Sequence, residues 1–83
     1  MKDENPSYEV LFLAGKLYRK FGDYKTALEF LLALYEKQPK NPDILSELAW
    51  VYYEIGDMKK ARKYYSLAEV ISPKGVDKKL GEL

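Results

Sequence analysis

Cysteine and histidine are both absent from this 83-residue sequence. Without cysteine there is no disulfide, no thiolate nucleophile and no sulfur ligand for a metal. Without histidine there is no imidazole to bind a metal or to move protons near neutral pH. The lysines, tyrosines and carboxylates that remain do not converge on a predicted pocket, so the sequence predicts no enzyme, no cofactor and no metal site. A net charge is missing as well. Fourteen basic residues against thirteen acidic ones leave +1, which gives no overall field to recruit nucleic acid or an anionic membrane. Long apolar runs are absent too, none approaching the ~18 residues of a membrane span. The segment Met1 to Ser7 is polar and lacks the apolar core of a signal peptide, so the expected location is cytoplasmic. Asparagine and glutamine are scarce at two and one, against twelve lysines and eight glutamates. That bias suits heat-adapted proteins and consensus-designed repeats alike.

What the chain does contain is enough apolar material to fold. Apolar residues make up 47% and charged residues 33%, a mixture unlike that of disordered segments. A chain this short buries only roughly 60% of the surface that it exposes when unfolded, so its core is small.

The organisation is carried by a repeat. A shift of 34 residues lays positions 8–41 over 42–75 without a gap: Leu11 falls on Leu45, Tyr18 on Tyr52, Gly22-Asp23 on Gly56-Asp57, Ala27 on Ala61 and Pro39 on Pro73. Within the first unit, Val10, Leu11, Ala14, Leu17, Tyr18 and Phe21 recur at three- and four-residue steps, which puts them on one helical stripe in need of a partner. Gly22 can end that helix in the left-handed conformation, and Asp23 can cap the next. Ala27, Phe30, Leu31 and Leu34 then form the facing stripe, with Ala27 small enough for a close crossing. Asn41 and Pro42 read as the N-cap and first residue of a third helix. Leu45, Leu48, Ala49, Tyr52 and Ile55 continue the scheme, followed by Ala61, Tyr64, Tyr65, Ala68 and Ile71. The expected helices span 7–21, 24–38, 42–55 and 58–71. Beyond Pro73, Asp77 can cap a stub whose Leu80 and Leu83 turn back onto the second hairpin.

A gapless 34-residue helix-turn-helix unit with these residues resembles the tetratricopeptide repeat. Gly15, Tyr18, Ala27 and Pro39 fit the family's slots in the first unit, with Leu31 where an aromatic is usual. Leu48, Tyr52, Ala61, Tyr65 and Pro73 fit in the second, with Ala49 in place of the small Gly. Leu11 and Leu45 replace the opening Trp in both. The resemblance implies an all-α fold: two tandem hairpins stacked as a short right-handed solenoid, closed by a short C-terminal capping helix. Residues 1–83 form one domain on this reading, with repeats at 8–41 and 42–75 and the stub at 76–83.

The resemblance also implies a protein-protein interaction module, because in this family the first helices of successive repeats line a concave groove for a partner's peptide. Helical spacing locates that face at Glu9, Phe12, Lys16 and Arg19 on the first helix and at Asp43, Ser46, Trp50 and Tyr53 on the third. Lys20 and Glu54 lie at its edge. Large aromatics on such a face suit a contact surface, whereas Tyr18, Tyr52, Tyr64 and Tyr65 are expected in the core or between helices. Lys59, Lys60, Arg62 and Lys63 read as a solvated convex surface. One subclass of the family clamps terminal carboxylates with Lys and Asn side chains. Here Phe12 and Lys16 stand at the first of those places and Trp50 at the second, so no clamp is expected and aromatic contacts, helped by Lys16 and Arg19, take its place. The alternative to peptide binding is a self-associating unit, a homo-oligomer formed through an exposed end of the stack or an exchanged helix. An RNA-binding repeat would need a basic inner face, which Glu9 and Asp43 oppose.

Overall fold

Four helices of fourteen residues each make up the computed structural model, which describes residues 7–73: α1 (Tyr8–Phe21), α2 (Tyr24–Lys37), α3 (Pro42–Ile55) and α4 (Met58–Ile71). No strand occurs among the described residues. The boundaries agree with the sequence expectation to within one residue. The C-terminal stub, with Asp77, Leu80 and Leu83, lies outside the described residues.

Local chemistry accounts for each helix end. Ser7 Oγ accepts from the Val10 N–H at 3.3 Å to open α1, and Asn41 Oδ1 accepts from the Asp43 N–H at 2.9 Å ahead of Pro42 in α3. The two Gly-Asp turns are built alike. Gly22 and Gly56 take φ of +88° and +101°, a region that costs any residue with a Cβ but not glycine. The next N–H in each turn returns to the helix, Asp23 to Tyr18 O at 2.8 Å and Asp57 to Tyr52 O at 2.9 Å. The Asp carboxylates then accept from the Thr26 and Lys60 N–H groups, both at 3.2 Å, to start α2 and α4. With two residues between them, the helices of each pair fold back antiparallel, α1 on α2 and α3 on α4, and α2 meets α3 between the hairpins.

Gly15 is buried against Leu31 where α1 crosses α2. Ala27, Leu31 and Leu34 of α2 are buried. In the second hairpin Leu45, Leu48, Ala49, Tyr52, Ala61, Tyr64 and Ala68 are buried, as their spacing predicts. Ile44 and Val51, absent from the predicted stripe, are fully buried too, because α3 packs on two sides, against α4 and against α2.

The same geometry corrects the reading of α1. Four of the six residues assigned to its packing stripe are exposed: Val10 by 58%, Leu17 by 43%, Tyr18 by 38% and Phe21 by 78%. Among the described residues α1 has a full partner only in α2, so the side of the stripe that would need a preceding hairpin stays open. Tyr18 nonetheless makes an inter-helix contact, stacking on Phe30 at 5.8 Å. Ile55 and Ile71, also assigned to packing stripes, are exposed at the ends of their helices.

Candidate peptide-binding face

Helices α1 and α3 are brought side by side with their predicted groove stripes adjacent, and Arg19 ties them together. Its Nε donates to Glu47 Oε1 at 3.0 Å, and its Nη1 donates to Glu54 Oε2 at 3.2 Å. The guanidinium also sits 5.7 Å from the centre of the Trp50 ring, close enough for a cation-π attraction. The Arg19 and Glu47 side chains are largely covered, which strengthens the pair relative to an exposed one. Sequence spacing identified Arg19 as a groove cation but not its partners. Glu47 lies 28 residues away and flanks a different stripe of α3, so only the helix-helix placement brings the two together.

The aromatics group into two sets. On α1, Phe12 stacks on Tyr8 with ring centres 5.6 Å apart, and Lys16 Nζ lies 5.5 Å over the Phe12 ring. On α3, Trp50 and Tyr53 meet edge to face at 5.7 Å. All four rings are half-buried and pack on the core while keeping one side open. Tyr8 was not singled out from the sequence; its four-residue spacing to Phe12 was the available signal. Asn41 Nδ2 donates to Tyr8 Oη at 3.3 Å and to Gln38 Oε1 at 2.8 Å, joining the start of α1 to the loop before α3. Burial raises the pKa of the Tyr8 phenol despite the Asn41 hydrogen bond, with Asp43 and Glu9 adding to the rise.

The remaining predicted residues are placed more simply. Glu9 and Asp43 are exposed. Ser46 is half-buried, and its Oγ is covered without a hydrogen-bond partner among the described residues. Its neighbours on the same stripe, Trp50 and Asp43, lie one turn away on either side. A separate open depression of about 530 Å³ lies over the inter-hairpin loop, lined by Gln38, Pro39, Lys40, Asn41 and Pro42. The groups on this face can offer ring surfaces, a few hydrogen bonds and charges of both signs, with one more carboxylate than cations. Among the described residues there is no cluster of three side chains that could hold a metal ion.

A family model described as Tetratricopeptide repeat matches residues 6–76. That match spans both hairpins and the turns just described. The chain belongs to the tetratricopeptide repeat family. Repeats of this family generally mediate protein-protein interaction, and the fold typically serves as a non-enzymatic scaffold. No match is found among curated proteins or among solved structures. Among the described residues of this tetratricopeptide repeat protein, no helix is long and apolar enough to cross a membrane.

Proposed function

We propose that the face formed by α1 and α3 binds a peptide segment of a partner protein, anchoring apolar side chains on Phe12, Trp50 and Tyr53 and favouring a neutral or basic sequence. One observation supports the reading above the others. These aromatics are packed firmly enough on the core to be held in place, yet each retains an open side. Rigid, half-exposed rings supply contact area at little entropic cost.

The preference for a neutral or basic partner rests on Arg19. Because its guanidinium is held by Glu47 and Glu54, it offers little to an acidic peptide. With the tied residues included, Glu9, Asp43, Glu47 and Glu54 exceed Lys16, Arg19 and Lys20 by a single charge. On this reading residues 8–41 and 42–75 are the two repeats. The chain acts in the cytoplasm as a scaffold or adaptor that carries out no catalysis and binds no nucleic acid.

Panning a displayed random-peptide library against the 83-residue chain tests the proposal. Selected peptides are expected to be apolar with basic flanks, to shift the emission of Trp50, and to lose affinity with rising salt. Phe12→Ala and Tyr53→Ala are expected to weaken them about tenfold or more, the usual effect of truncating an anchoring aromatic. Peptides that bind both variants as well as the parent, or that leave Trp50 unperturbed, would exclude this face.

A further inference from the structure

A second apolar stripe on α1 plays no part in the groove. Val10, Leu13, Leu17 and Phe21 follow one another at three- and four-residue steps on one side of the helix, and all four are exposed. The internal repeat shows how such a surface is used. Shifted by 34 residues, Val10 becomes Ile44 and Leu17 becomes Val51, both fully buried on the α3 that packs against the hairpin before it. Leu13 becomes Glu47, the partner of Arg19. On α1 the same face is therefore more apolar than on α3, with no charge in its centre.

What covers it can be narrowed by chemistry. A second copy added head to tail would offer α4. On α2, Tyr35 meets Tyr64 edge to face at 5.6 Å, which places Leu28, Leu32 and Tyr35 on the side that meets the second hairpin. The matching positions of α4 are Arg62, Ser66 and Glu69, all exposed and polar. Head-to-tail docking would bury charges against leucines.

Like against like meets no such mismatch. Glu9 flanks the stripe near the start of α1, and Lys20 flanks it near the end. Two α1 helices packed antiparallel would bring Glu9 of each copy to Lys20 of the other, whereas parallel packing would oppose like charges. We infer that two copies of this chain pair through α1, antiparallel, about a two-fold axis passing between Leu13 and Leu17. Such an interface is isologous and closes at the dimer. It leaves Phe12, Lys16 and Arg19 of the groove stripe free, since these are centred on a different side of the helix, and shares only Glu9 at the border of the two faces.

Light scattering on the full chain, from micromolar to millimolar and with Trp50 emission recorded on the same samples, tests the inference. The mass is expected to rise from 9.7 kDa toward twice that value while Trp50 emission stays constant. Leu13→Glu and Phe21→Glu, both at exposed positions, are expected to raise the dissociation constant at least tenfold with the helical circular dichroism retained. Glu9→Lys or Lys20→Glu alone should weaken pairing about fivefold through the two symmetric contacts, and the double exchange should restore it. A monomer at every concentration would overturn the inference. So would a dimer indifferent to Leu13→Glu, a dimer that shifts Trp50, or a double exchange that fails to restore pairing.

Discussion

At Gly15 a Cβ would stand 2.8 Å from Leu31 Cγ and 2.9 Å from Cδ2, and Leu31 is fully buried. Helix propensity favours alanine over glycine by about 1 kcal/mol, while overpacking a closed core costs about 1–3 kcal/mol. The steric cost outweighs the propensity, and Gly15→Ala is expected to lose about 1 kcal/mol in a urea melt; an unchanged or raised midpoint would show that the crossing can spread. The second repeat carries Ala49 at the matching position, where the 34-residue shift replaces Leu31 by Tyr65. Tyr64 offers a different probe of the same core. Burial pushes its phenol above the usual 10.0, and repulsion from Tyr52 and Tyr35 adds to this. The folded chain thus holds that proton more tightly than the unfolded chain. Stability from this source is complete below about pH 10 and falls as the pH rises toward the folded value. Urea midpoints measured above pH 10 should fall less steeply for Tyr64→Phe than for the parent, and identical slopes would remove Tyr64 from the account.

The hairpin turns are the clearest case of a local rule that determines an element. Nothing lies within 4 Å of a Cβ built on Gly22 or Gly56, so alanine there meets no clash and only the positive φ matters. Gly22→Ala and Gly56→Ala are each expected to cost about 1 kcal/mol, which lowers the melting temperature by about 4–8 °C in a domain of this size. A loss below one degree would mean that the turn relaxes out of the left-handed region. Because these signals are local, the four helices and the Gly-Asp and Asn41 caps were legible in the sequence almost to the residue, while Ser7, expected inside the first helix, caps it instead. The hairpin pairing was legible as well, since a two-residue turn leaves the chain no other course. Which side of each helix is covered was not. Val10 and Ile44 occupy the same repeat position, and the spacing rule treats them alike, yet one is exposed and the other fully buried. The difference lies in whether a neighbouring hairpin stands on that side. Helical spacing does not reveal the Arg19 ties to Glu47 and Glu54 for a related reason, since they cross between repeats that it treats separately.

Summed over the molecule, burial is uneven. Of the buried apolar side chains among the described residues, only Ala27, Leu31 and Leu34 belong to the first hairpin, and the second supplies the rest, from Ile44 to Ala68. In a stacked repeat protein each hairpin contributes its own stability plus what it shares with its neighbour. The first hairpin is therefore the weaker unit, held to the second by the packing of α2 on α3, by Tyr35 against Tyr64 of α4 and by the Arg19 ion pairs. Opening α1 exposes Leu11, Phe12, Ala14 and Gly15 and uncovers Leu31 on α2, whereas opening α3 exposes the centre of the core. Native-state hydrogen exchange in dilute solution is expected to show α1 amides exchanging first, through a partial opening that leaves α3 and α4 intact. Equal protection in all four helices would instead mean that the two hairpins unfold as one unit. Pairing of copies through α1 adds a second dependence. Binding that involves only the closed form stabilises it in proportion to occupancy. Protection of α1 should then rise with protein concentration while that of α3 stays fixed by its own packing. Leu13→Glu should abolish the rise without changing the order in which the helices exchange.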